Sequence, residues 1–190
     1  MKLSSAFPLI LLLVTACQKQ KAGFRNRPLR SSADMTTMTS DTNYLRIHQR
    51  TWGRKLLLVD KQKQRQIASP DSLWGYETKD GARYRYFDRT YYKIEETTPL
   101  AIYSFRYWVS ASNAVIQHGH YQTNYYFSKN SDSEIFPISK RELKSVFQTD
   151  PTLLQKLADR RWRVYDNKTK RYVMNQAYEE VHPVLAPISL

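Results

Sequence analysis

His118 and His120, separated by Gly119, place two imidazoles two residues apart. On a strand that spacing puts both rings on one face, where they can ligate a single metal ion, although a site needs at least one further ligand. The other histidines, His48 and His182, are distant in sequence and no carboxylate stands beside the pair, so a polar strand start accounts for them as well. Asn130, Asp132 and Glu134 alternate oxygen-bearing side chains as a calcium loop does, but without a glycine for the sharp turn or a properly spaced downstream glutamate. The expectation there is a plain turn. Glu95-Glu96 and Glu179-Glu180 are sequence neighbours. Such neighbours point to opposite faces of a strand, or about 100° apart on a helix, unlike the facing carboxyls that cleave a glycosidic bond. The five glycines, at 23, 53, 75, 81 and 119, furnish no phosphate loop, dinucleotide fingerprint or nucleophile elbow. No cofactor is expected and no catalytic motif is found. Ser, Asp and His without an organising motif leave an undetected hydrolase as the second alternative.

The chain carries 30 Lys and Arg against 17 Asp and Glu, a formal charge of +13. Lys156, Arg160 and Arg163 recur at i, i+4 and i+7, which aligns them on one helix face as a possible ligand or partner surface, opposite Leu153, Leu154, Leu157 and Ala158. An anionic lipid, an envelope polymer or an acidic protein could be attracted there; an ordinary solvated helix face has the same pattern. Arg160-Arg161-Trp162-Arg163 and Arg83-Tyr84-Arg85-Tyr86 interleave cations with aromatics as nucleic-acid binders do. On a strand, however, arginines outward and tyrosines inward explain the second run without any ligand, and nucleic acid is not expected.

The elements that would hold these residues are short strands first and helices afterwards. Strand patterns cover 55–60, 65–68, 73–78, 83–87, 91–95, 100–109 and 120–128, with alternation clearest at Tyr103, Phe105, Tyr107, Val109 and at Tyr121, Thr123, Tyr125, Phe127. Asp80-Gly81 signals a two-residue hairpin loop and Asp88-Arg89-Thr90 a weaker reversal, which together predict an antiparallel meander of about five to seven strands. Ser139 with Glu142 forms a capping box ahead of Leu143, and Asp150-Pro151 opens a second helix whose apolar face runs to Trp162 and which Asp166-Asn167-Lys168 breaks. A third helix is expected near 175–181. The fold class is α+β, with two or three C-terminal helices on the sheet. If Tyr91, Tyr107, Trp108 and Tyr126 are exposed beside the basic helix face, they make a ligand platform; if buried, they are core.

Residues 1–16 have one early charge at Lys2, an apolar run from Ala6 to Val14, and small residues before Cys17, the only cysteine of the chain. The run is too short to span a bilayer, which takes roughly 20 residues, and has the layout of a secretory signal. Leu13-Val14-Thr15-Ala16-Cys17 resembles the signal peptidase II lipobox of bacterial lipoproteins. That resemblance implies cleavage before Cys17, diacylglycerol on its sulfur and an acylated new N-terminus. The membrane would then be the first partner, through an anchor strengthened by each acyl chain. Residues 17–42 read as a lipidated cysteine and polar tether spanning about 25 to 30 Å, 43–182 as one α+β domain, and 183–190 as a tail. Asp71-Ser72-Leu73-Trp74-Gly75-Tyr76 with Lys79-Asp80-Gly81, and Tyr125-Tyr126-Phe127-Ser128-Lys129 with Ser133-Glu134-Ile135-Phe136-Pro137, resemble small exported proteins of Bacteroidota. This resemblance implies an envelope location and transfers no catalytic residue. The sequence thus predicts a membrane-anchored envelope protein, outer membrane favoured, with a non-catalytic domain for a protein partner or, alternatively, an anionic or carbohydrate ligand.

Overall fold

A computed structural model describes residues 26–37, 44–49, 55–110 and 119–183. It is an α+β fold. Strand β1 (Arg27–Leu29) is followed by β2 (Arg46–Gln49), β3 (Leu56–Val59), β4 (Arg65–Ala68), β5 (Gly75–Glu77), β6 (Arg83–Phe87), β7 (Thr90–Glu96), β8 (Ala101–Val109), β9 (His120–Ser128) and β10 (Phe136–Pro137). Then come α1 (Lys140–Val146), α2 (Pro151–Asp159), a small hairpin β11 (Tyr165–Asp166) and β12 (Arg171–Tyr172), and α3 (Val173–Val181). The main sheet is antiparallel in the order β1-β5-β6-β7-β8-β9-β10, while β2-β3-β4 form a separate three-stranded sheet. Among the described residues no helix is long and apolar enough to cross a membrane.

Residues directly opposite on antiparallel strands share a face, so the register sorts the main sheet. One face carries Tyr76, Tyr84, Tyr86 and Tyr91 towards its β5 side and Ile102 and Phe127 towards β9. Leu56 and Leu58 of the small sheet pack on the four tyrosines, and Tyr76 and Tyr84 stack with centroids 4.6 Å apart. The helices cover the other half: Leu143, Phe147, Leu153, Leu157, Val173, Met174 and Ala177 close over Leu100, Ile102 and Phe127. Asn175 locks α3 in place. Fully buried, it accepts from Leu100 N (3.2 Å) and donates to the carbonyls of Thr98 and Leu100 (3.1 Å each) and to Glu96. The opposite face buries Ala101 and Tyr103 with Ile135, against Phe87, Tyr92, Ile94 and Tyr126.

Ser139 and Asp150 cap the first two helices, but the reciprocal half of the expected capping box is absent: Ser139 N donates to Pro137 O at 2.9 Å and Glu142 pairs with Arg141 at 3.5 Å. Ser139 Oγ accepts from Glu142 N at 3.2 Å and Asp150 Oδ1 from Leu153 N at 3.0 Å, each relieving an orphan donor. Three further expectations need correction. The expected tether contributes β1, paired with β5, and Leu29 is fully buried; a 3-10 turn over Ser32–Met35 follows, and Ser32 Oγ donates to Asp132 at 2.6 Å. Its lone apolar residue gave no periodicity to detect, because three residues are too few to show one. The β5–β6 connection is not a two-residue loop: Thr78 N bonds Ala82 O and Gly81 N bonds Thr78 O, with Gly81 at φ 84°, a three-residue loop closed by a left-handed glycine. The tight two-residue turn is instead Asp88-Arg89, both at positive φ. Finally, α2 stops at Asp159, and Arg161 and Trp162 take φ of 55°, so Trp162 reaches the core from beyond the helix and Arg163 is not on its face.

Candidate functional site

The longest hairpin joins β8 to β9 in unbroken register from Ala101↔Ser128 to Val109↔His120. Its inner pairs are core, but towards 109 and 120 the strands pass beyond their cover. There Arg106, Trp108, Tyr121 and Thr123 share the helix-bearing face by register and are all exposed. Trp108 keeps 54% and Tyr121 57% of its surface open, more than the other aromatic residues described. The two rings meet edge-on, centroids 4.9 Å apart at 71°, and the Arg106 guanidinium lies 4.3 Å from the centre of the Tyr121 ring. Gly119 permits this arrangement. A Cβ there would come within 2.4 Å of the Trp108 indole, so any side chain would push the ring aside. The chemistry on offer is stacking and cation–π attraction on a two-stranded ribbon.

The tyrosines named from the sequence therefore part company. Tyr91 is core, with burial first and the neighbouring Tyr86 second pushing its phenol up to about 12. Tyr107 and Tyr126 are half-buried on the opposite face, Tyr107 stacked with Phe105 and Tyr126 edge-on to Tyr92. Of the four, only Trp108 is exposed, with Tyr121 against it and Arg106 over the Tyr121 ring. The available signal was Phe105-Arg106-Tyr107-Trp108, where large side chains fall on both faces of the strand.

A second surface lies where α2 ends. A cleft of about 1060 Å³ opens between the residues after α2, the β11–β12 hairpin and α3, and Arg160 and Arg163 line it. Lys156 and Arg160 do share a side of α2, but that side faces α3. Both pair with Glu180, Lys156 at 3.5 Å, and Arg160 also donates to Gln176. Arg171 holds Glu179 with two bonds of 2.7 and 2.8 Å, which keep that carboxyl below its ordinary value. Among the described residues, no carboxylate lies within ion-pair distance of Arg161, Arg163 or Lys168. Two of the three expected cations, Lys156 and Arg160, are thus neutralised within the fold, while the third, Arg163, stays open together with Arg161 and Lys168.

Cys17 and His118 lie outside the described residues. His120 starts β9 as an exposed residue, and the described residues contain no group of three metal-ligating side chains. Asn130 forms a plain turn, its Oδ1 accepting from Asp132 N and Ser133 N. Glu95 and Glu96 depart from their expected opposite facing. A β-bulge between Ile94 and Glu96 shifts the register, so Glu95 reaches Lys93 and Ser104 while Glu96 reaches Asn175 on α3. Burial first, and Glu95 next, raise the Tyr172 phenol beside them. No protein-family model, curated protein or solved structure matches the chain.

Proposed function

We propose that this protein is a lipid-anchored component of the bacterial cell envelope whose domain binds another envelope protein through the end of the β8–β9 hairpin. The lipobox-like sequence ending at Cys17 supports the anchor. The observation that carries the binding role is the exposed Trp108–Tyr121 pair with Arg106 stacked upon it. Trp, Tyr and Arg are the residues that dominate protein-binding hot spots, because each buries a large rigid surface and retains a polar handle. Two half-exposed rings in contact on a ribbon also form an apolar patch, and a patch rimmed by polar groups marks an interaction surface.

The test is affinity capture with the full-length lipidated chain and with its Trp108→Ala/Tyr121→Ala double variant, followed by mass spectrometry. The proposal expects an envelope protein recovered in stoichiometric amount with wild type and depleted at least tenfold with the variant. Identical recoveries from both would sink it. A second reading, an anionic envelope polymer, is favoured by the unpaired Arg161, Arg163 and Lys168 at the cleft. It expects binding that weakens with salt and is lost in Arg161→Glu/Arg163→Glu but kept in the aromatic variant.

A further inference from the structure

Arg83 and Arg85 lie on the face opposite Tyr84 and Tyr86, as alternation predicts, but that face is covered at Arg85 instead of open to solvent. Arg85 is 3% exposed, as buried as Leu58, Leu143 and Val173 of the apolar core. Its neighbour Arg83 shares the buried carboxylate of Glu77 with Arg27, at 3.1 and 2.9 Å, but among the described residues no carboxylate lies within 4 Å of Arg85. Its Nη1 donates to Tyr103 Oη at 3.0 Å and, more weakly, to Ser128 Oγ at 3.5 Å; both acceptors are neutral. Three rings surround the guanidinium, Trp74 at 5.8 Å, Phe87 at 5.4 Å and Tyr103 at 5.8 Å to their centres. Ring attraction offsets part of the loss of hydration, yet a buried ion without a counter-charge is among the costliest features a core can hold.

Two donors beside this cation are also unsatisfied. Arg85 Nε–H and Trp74 Nε1–H are both buried and find no acceptor among the described residues. The guanidinium lies 5.8 Å from the centre of the indole, so both donors belong to one small neighbourhood. An uncompensated positive charge with two idle N–H groups and aromatic walls calls for a compact, weakly hydrated acceptor carrying one negative charge. We propose that Arg85 and Trp74 form a buried binding site for a small monovalent anion, chloride being the species of the right size and charge. A water molecule could occupy both donors but would leave the charge unopposed. The ion would complete the sheet face that carries Tyr92 and Tyr103, opposite the helices, and act on stability independently of the partner surface on Trp108 and Tyr121.

The experiment titrates the full-length, isotopically labelled chain with sodium chloride against sodium gluconate at constant ionic strength, reading the Trp74 indole N–H resonance, which Trp74→Phe assigns. The proposal expects that resonance to move saturably with chloride and also with bromide. The unfolding midpoint in chloride at ten times its dissociation constant should exceed that in gluconate by about 3 to 6 °C. Excess broadening of the chloride-35 signal, displaced by bromide, gives a third reading that needs no variant, and Arg85→Met should abolish it if that chain folds. An indole resonance and a midpoint that are the same in both salts up to molar chloride would overturn the proposal.

Discussion

Leu29 stands in a segment whose sequence reads as tether, and its substitution by alanine separates a strand from a leash. The side chain is fully buried, its carbonyl accepts from Trp74 N at 2.9 Å, and the residue faces Gly75 across the β1–β5 ladder. Leu→Ala at such a site removes the transfer free energy of the lost carbons and leaves a cavity, together about 2 to 5 kcal/mol. Taking about 3 kcal/mol, and 2 to 4 °C per kcal/mol for a chain of this size, the midpoint should fall by about 6 to 12 °C. Chemical denaturation of the full-length protein gives the same quantity, as a lower midpoint at unchanged slope. Thr37→Ala, an exposed change in the same segment, should stay within about 0.5 kcal/mol of wild type. A Leu29→Ala protein that unfolds with the Thr37→Ala control would refute the strand.

Asn175→Ala should cost about 2 to 4 kcal/mol, since it strands the buried N–H and carbonyl of Leu100 and the carbonyl of Thr98 together; urea unfolding monitored on the helices measures it. Acid should destabilise the fold through Asp150 and Glu179. Burial alone would raise the Asp150 carboxyl, but the Leu153 N–H and His182 outweigh it, and Arg171 lowers Glu179. With folded values below the ordinary 3.8 and 4.5, the unfolded chain binds more protons. The contribution is therefore present above those values and lost as pH falls through the folded ones. Midpoints of wild type and Asp150→Asn should converge as pH falls through the folded value of Asp150, below 3.8; a constant gap at all pH values would contradict the assignment. Cys17→Ser should abolish palmitate labelling and membrane fractionation, and retention of both would exclude the anchor.

Where local rules act alone, the sequence was legible. Ser139 and Asp150 cap their helices because a short acceptor before an apolar run has one good use, and the 120–128 alternation puts Tyr125 and Phe127 on the covered face. Where a residue answers to distant neighbours, it was not. Leu29 is a strand residue only because β5 returns beside it after three intervening strands, and Glu95 shares a face with Glu96 only because a bulge shifts the register. The basic face of α2 reads as a docking surface until α3 supplies Glu180. Arg85 looks like surface because alternation assigns it a face without saying whether that face is covered. Trp108 reverses the error, an indole in a strand pattern that the hairpin carries beyond its cover.

The partner surface can be tested in living cells by a photo-crosslinking residue at position 121, with the same residue at the exposed Lys144 on α1 as control. The account predicts one discrete, light-dependent adduct from position 121, lost when Trp108 is also changed to alanine, and none from position 144. The same adducts from both positions, or none from 121, would contradict it.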